Sequence, residues 1–147
     1  MIQQSIERNI WFMVASDTAA TFRWEHILSS QRSTFWWIRR LPRNFKTAKP
    51  GELILCYRSG NERRGLVGLA EVEDAFNDDG ITVKGLLLFK KIIPYEAFKN
   101  EPIYKQTEAG RHRNRGTLFA VDRDFTHWVR MKLEEYGDER AANYLYY

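Results

Sequence analysis

The sequence predicts an α+β domain, a small curled sheet or open barrel with helices near both ends of the chain. Short apolar runs rich in β-branched and aromatic residues recur between turn signals: NIWFMVAS, GELILCYRS, GLVGLAEVED and ITVKGLLLF. Helical spacing appears in only two places, one early segment and one late. The 147 residues hold no internal repeat and no linker, so a single domain, 1–147, is expected.

Asn9–Ser16 is a short apolar run and reads as a buried strand. Asp17-Thr18 offers an N-cap to a helix over Ala19–Ser29, with Phe22, Ile27 and Leu28 on one side and Trp24 off that stripe. Thr34–Lys49 reads as irregular and basic, with Pro42 inside it. A Pro50-Gly51 turn leads into a strand over Glu52–Arg58, and Ser59–Arg64 is a polar hairpin loop. From Leu69 apolar and polar residues alternate, as in a half-buried strand, up to the turn Asn77–Gly80. Ile81–Ile92 is another strand, and Pro94–Asn100 has room for a helical turn. Gln106–Gly116 reads as an arginine-rich loop and Leu118–Asp122 as a short strand. A last helix begins near Asp124, carries Phe125, Trp128, Val129, Leu133 and Tyr136, and ends at Gly137. The aromatic tail ERAANYLYY either packs back or meets a partner.

Net charge is +4, which permits an anionic partner without demanding one. Its distribution says more. Arg32, Arg39, Arg40, Arg43, Lys46, Lys49, Arg58, Arg63 and Arg64 face only Glu52 and Glu62 over the same span. A second cluster is Arg111-His112-Arg113-Asn114-Arg115. The lone cysteine, Cys56, lies among apolar residues and reads as a buried thiol, and no internal disulfide is possible. No membrane-length apolar run or signal pattern is present, so a cytoplasmic location and no membrane partner are the expectation.

Familiar catalytic patterns are missing. There is no G-x-S-x-G, Walker A or dinucleotide fingerprint. Gly65-Leu66-Val67-Gly68 is a G-x-x-G string, but it sits in a strand pattern and reads as close backbone packing. His26, His112 and His127 lack metal-ligand spacing and a second cysteine. The expectation is therefore no enzyme, no cofactor and no metal.

Several motifs, in order, resemble the EVE domain family. IWFMVAS is similar to the family's first strand, which ends in Lys-Ser. Arg43-Asn44-Phe45, then Lys49, Gly51, Glu52, Tyr57 and Ser59, resemble its R-N-F run and the K-x-G-acid…Y-x-S run that follows. Gly65, Leu66, Gly68, Leu69, Val72, Phe76 and Asp78 resemble its next strand and turn. These cover roughly 10–78, and the C-terminal half matches only through Ile93-Pro94 and Leu118-Phe119. The resemblance implies a PUA-like fold, related to YTH domains: a curled sheet or open barrel flanked by helices. It also implies binding of nucleic acid that carries a modified base, extruded into an aromatic pocket; the expectation is DNA with a modified cytosine or adenine. Two departures stand out. Ala15 occupies the Lys position of Lys-Ser, and FWWIR matches the family's W-x-G-V-R only roughly, leaving Phe35, Trp36 and Trp37 all open as the stacking residue.

The pairing of tryptophan with arginine in TFWWIRRLPRNF has a physical rationale in that setting. Extruding a base from a duplex costs a few kcal/mol, and one stacked aromatic returns only about 1–3 kcal/mol. Phosphate contacts supply the remainder, with strong salt dependence. The candidates for phosphate are Arg39, Arg40, Arg43, Arg58, Arg111, Arg113 and Arg115; for the base edge, Ser16, Asp17 and Ser59. In an extended segment neighbours point to opposite faces, so Trp36 and Trp37 cannot both line one pocket. The plainer alternatives are that one of them is core, that Asp17 is only a helix cap, and that the arginine loop is a solvated face. Two rival classes remain: a small enzyme using Lys49 with Glu52, or Asp17 with Ser16, on a modified nucleoside or amide, and a protein- or small-ligand-binding module.

Overall fold

A computed structural model describes residues 9–16, 23–37, 44–60, 63–75 and 80–146, with Trp36 and Trp37 described by their backbones alone. Strand β1 (Ile10–Ser16) is followed by helix α1 (Trp24–Leu28), β2 (Ser33–Trp37), β3 (Leu53–Ser59), β4 (Gly65–Asp74) and β5 (Gly80–Pro94). Then come the short helices α2 (Tyr95–Phe98), α3 (Pro102–Lys105) and α4 (Glu108–Arg111), strand β6 (Leu118–Val121), and helices α5 (Arg123–Glu135) and α6 (Glu139–Tyr144). Among the described residues the strands form one six-stranded sheet in the order β2-β5-β4-β3-β1-β6. Of these strands only β1 and β3 pair in parallel; the other neighbours are antiparallel. A parallel pair needs a crossover, and α1 with β2 lies within it.

Both faces of this sheet are covered, which is why the first strand reads as unbroken apolar sequence instead of alternating. On one face Ile10, Phe12, Leu53, Leu55 and Tyr57 pack with Phe98, Tyr104, Phe125, Val129 and Leu133 from the C-terminal helices. On the other, Trp11, Met13, Ala15, Ile54 and Cys56 pack with Trp24, Ile27 and Leu28 of α1 and with Phe45 and Ala48. Register shifts at Cys56/Tyr57 in β3 and at three places between β4 and β5 act as bulges and curl the sheet. The glycines of β4 and β5 permit close approach. A Cβ on Gly68 would stand 2.3 Å from the Leu87 carbonyl oxygen and 2.7 Å from Leu28 Cδ1, and one on Gly85 would stand 2.0 Å from the Ile27 carbonyl oxygen. The G-x-x-G string is thus packing, and α1 lies directly on the backbone of β5.

Two of the core indoles carry their polar N–H inside. Trp11 Nε1 donates to Glu52 Oε1 at 3.0 Å and Trp24 Nε1 donates to the Tyr57 carbonyl at 3.1 Å. Without partners each donor would cost about 1–3 kcal/mol, as much as the burial of a large side chain returns. Glu52 also accepts from the Lys49 backbone N–H at 2.6 Å and from that of Asn9 at 3.1 Å. Its carboxylate therefore pins the start of β1 to the turn before β3.

Several elements differ from the sequence expectation. Residues 33–37 are not irregular: Ser33–Trp37 pairs with Lys84–Gly80, where β-branched and aromatic residues suit a strand. Asp122, not Asp124, caps α5, its Oδ1 accepting from the Phe125 N–H at 3.0 Å. The segment expected as a loop over 106–116 contains α4, capped by the Thr107 hydroxyl accepting from Gly110. The aromatic tail packs back as α6, with Ala141, Ala142 and Leu145 in the core. Trp11 and Trp24 are core, and Trp128 is half-buried, stacked on Phe125 at 5.8 Å.

The Glu52 carboxylate yields a stability prediction. Glu52→Ala leaves the buried Trp11 indole N–H and two partly buried backbone N–H groups without their acceptor, so unfolding in urea should show a loss of about 2 kcal/mol.

Candidate nucleic-acid interface

The parallel register sets Ser16 beside Ser59 and Ala15 beside Arg58, so two of the three expected base-edge residues meet where β1 and β3 end. Ser16 is exposed and Ser59 half-buried. Their wide separation in sequence gave no hint of this contact; only the crossover produces it. Arg58 is turned toward α1, where its Nη2 pairs with Glu25 Oε1; the two side chains are 12% and 39% exposed. Glu25 gave no functional signal in the sequence, since an acid in a first helical turn is unremarkable.

The arginine-rich segment runs beside the same strand ends. Val14 N–H donates to the Thr117 carbonyl at 2.8 Å, which holds the exit of that segment two residues from Ser16. Arg113 and Asn114 take left-handed backbone conformations, with φ of 52° and 58°. Asn114 accepts from the Tyr104 hydroxyl at 2.5 Å, tying the turn to the aromatic core. Arg111, Arg113 and Arg115 are exposed, and Arg111 Nη1 donates to the Gln106 carbonyl at 3.0 Å.

Asn44 lies within the first basic stretch and is anchored near the second. Its amide donates to Glu108 Oε1 at 2.7 Å and to the Leu118 carbonyl at 2.9 Å, on either side of the arginine segment. The chain at Asn44 is thereby fastened beside the arginine segment. Asp17, Arg39, Arg40 and Arg43 lie outside the described residues.

Phe35, half-buried, stands opposite Thr82; Trp36 pairs with Ile81 and Trp37 with Gly80. Strand pairing does not bring them to Ser16, because β5, β4 and β3 lie between β2 and β1. The connection runs through α1, which immediately precedes β2 and reaches β3 through Trp24 and Glu25.

An open hollow of about 280 Å³ is lined by Gln106, Glu108, Arg111, Ala120 and Asp122 among others. Two carboxylates beside one arginine make it a poor phosphate site. Among the described residues no three His, Cys, Asp or Glu side chains are grouped to hold a metal, and no helix is long and apolar enough to cross a membrane. Cys56 is buried, and burial pushes its thiol well up from the ordinary value.

The model of the EVE domain family matches residues 9–132. The chain belongs to the EVE domain family. No curated protein matches the chain. Among solved structures, a hypothetical protein from Leishmania major is similar at TM-score 0.77 and 15% identity, over 89% of this chain and 98% of that one. A human THYN1 protein, solved in complex with 5-methylcytosine containing DNA, is similar at TM-score 0.70 and 18% identity, over 86% and 98%. A Pseudomonas syringae protein is similar at TM-score 0.70 and 14% identity, over 84% and 99%. These likenesses carry the PUA-like fold, an open mixed sheet with flanking helices.

In this EVE domain the polar end of the aromatic core lies against the arginine turn. Tyr57 and Tyr104 each pack edge-on to Tyr95, at 6.0 and 6.1 Å, and the Arg64 guanidinium sits 5.0 Å from the Tyr95 ring centre. Burial pushes the Tyr57 phenol up to about 12, against the opposing pull of Arg64, and pushes that of Tyr104 higher still. A folded-state pKa above the unfolded value near 10 gives stability that is complete below pH ~10 and lost as pH rises through the folded value. The domain should therefore hold its melting temperature to about pH 10 and unfold cooperatively by about pH 12, with tyrosine absorbance and near-UV circular dichroism changing together.

Proposed function

We propose that this EVE domain is a non-enzymatic module that binds nucleic acid carrying a modified base, most simply a modified cytosine or adenine in DNA. The observation that carries the reading is the junction of Ser16 and Ser59 at the ends of β1 and β3, with the arginine segment fastened beside it. In this reading the base enters near that junction, with Ser16, Asp17 and Ser59 at its edge. One or more of Phe35, Trp36 and Trp37 provide the stacking face. Arg39, Arg40, Arg43, Arg111, Arg113 and Arg115 contact phosphates, and Arg58 backs the site through Glu25.

The fold neighbour human THYN1, in complex with 5-methylcytosine containing DNA, supports this reading. So does the fate of Glu52 under the enzyme alternative. Glu52 is 7% exposed and its carboxylate accepts three N–H groups, so it is occupied with holding β1 and β3. A general acid or base needs an open line to substrate.

Tryptophan fluorescence titrations with short strands containing plain, 5-methyl or 5-hydroxymethyl cytosine, or N6-methyladenine, test the reading directly. The expected result is tighter binding of one modified strand, with quenching. Equal binding of every strand would leave only a basic surface, and no binding at low salt would exclude the module altogether. Arg113→Gln combined with Arg115→Gln should weaken modified and plain strands alike and lower the salt slope by about one unit per lost phosphate contact. An unchanged slope would make that segment a solvated face.

A further inference from the structure

Arg63 and Arg64 close the hairpin between β3 and β4, and both are exposed. Arg63 takes a left-handed backbone conformation, with φ of 51°, which turns the chain back into β4. Arg58 stands opposite Gly65 on the β3–β4 ladder, so the next step of that ladder sets Arg64 opposite Ser59. Residues opposite one another project from the same face of a sheet. Ser59 stands in turn opposite Ser16. Ser16, Ser59 and Arg64 therefore form a row across the ends of β1, β3 and β4, on the face that carries Val14, Tyr57 and Tyr95. The Arg64 guanidinium lies 5.0 Å from the Tyr95 ring centre, and its carbonyl accepts from the Tyr95 N–H at 2.9 Å. Burial raises the Tyr57 phenol and Arg64 is the strongest opposing influence, so its charge stands at the polar end of the aromatic core. Arg130 is the contrast. It also lies on a ring, 4.3 Å from that of Tyr146, but Glu134 Oε1 stands 3.5 Å from its Nε. Among the described residues no carboxylate pairs with Arg64. A positive charge is thus held in place beside the proposed base site without a counter-charge.

We infer that Arg64, oriented by Tyr95, contacts a phosphate next to the nucleotide bound at the β1–β3 junction, on the side away from the arginine segment. This inference rests on the nucleic-acid reading given above. In the sheet order β4 lies on one side of the junction and β6 on the other. Arg64 reaches it from the β4 side. Arg113 and Arg115 belong to a segment that meets β1 from the β6 side, through Thr117. Phosphate charge is thereby met on both sides of one nucleotide, and the backbone of the bound strand runs across the ends of β4, β3, β1 and β6. Arginine suits the place because its planar fork stacks on a ring and still donates from its edge to phosphate oxygens.

The test is a set of short DNA strands with one modified cytosine, each carrying a single uncharged methylphosphonate at a different position, beside the unsubstituted modified and plain strands. Arg64 is exposed, so Arg64→Gln keeps the fold. It should lower the salt slope by about one unit for modified and plain strands alike and leave the ratio between them unchanged. Arg130→Gln removes the same charge from the other stacked arginine and should leave the slope as it is. One methylphosphonate position should weaken the wild-type chain roughly fivefold at low salt and leave Arg64→Gln unaffected. A position on the other side of the modified base should behave in that way for the Arg113→Gln, Arg115→Gln chain. Tyr95→Leu withdraws the ring but not the charge, and should weaken binding with the slope kept, while Tyr95→Phe should restore it. An unchanged slope in Arg64→Gln overturns the inference, as does an equal fall in Arg130→Gln. So does full affinity in Tyr95→Leu, or one methylphosphonate position shared by the two arginine variants. Equal binding of modified and plain strands, with these contacts still present, removes the modified-base reading and leaves the inference standing. No binding of any strand at low salt defeats both together.

Discussion

The parallel pairing of β1 with β3 is the constraint on which the rest of the structure depends. It is the one parallel contact among the described strands, and it forces the intervening chain to cross over a face. That crossing segment contains α1 and β2, so the same requirement delivers Trp24 and Glu25 to β3 and adds a strand to the far edge beside β5. A hairpin between the first and third strands would have turned one of them around. Ser16 and Ser59 would then lie at opposite ends of the sheet, and the junction would not exist.

Glu52 explains how a pairing between residues so distant in sequence stays in register. A one-residue slip would carry each apolar side chain of β1 to the wrong face, and both faces are buried, so hydrophobic pattern alone penalises it only partly. The Glu52 carboxylate removes that ambiguity. It receives Trp11 Nε1 and the backbone of Asn9 from β1's beginning while also receiving Lys49 from its own turn. Only one register satisfies all three donors. A charged residue in the core thus serves specificity of pairing, and its acceptor capacity is consumed in doing so.

Local sequence rules reach the strands best where one physical effect dominates. The run IWFMVAS is short, apolar and β-branched, and it is a strand; the helix with Phe125, Val129 and Leu133 at helical spacing is α5. The rules fail at Thr34–Trp37, where neighbouring Pro42 and the arginines suggest a loop although β-propensity is high; the pairing partner, Gly80–Lys84, lies beyond their reach. For the candidate site, Ser16, Ser59, Asn44 and the arginine segment are readable as residue types, but their adjacency is not. That adjacency is made by Asn44 reaching Glu108 and Leu118, and by Val14 reaching Thr117. The pairing of Glu25 with Arg58 is equally unreadable, because it needs the crossover that lays α1 against β3.

Three of the described arginines around the junction share a property that bears on binding. Arg58 is held by Glu25, Arg111 by the Gln106 carbonyl and Arg64 by the Tyr95 ring. Each long side chain gives up roughly 0.5–1.5 kcal/mol of rotamer freedom when it is ordered at an interface. Ordering them through the fold moves that loss from the binding step to the folding step. For three arginines the saving is on the order of what one stacked base contributes. The turn that carries Arg113 is treated similarly, since Asn114 in its left-handed conformation ties the backbone to Tyr104. A surface whose charges served solubility alone would gain nothing from such anchoring, because mobile, hydrated lysines and arginines keep a protein soluble equally well. The anchoring therefore favours a surface shaped to meet a ligand over one that is merely positive.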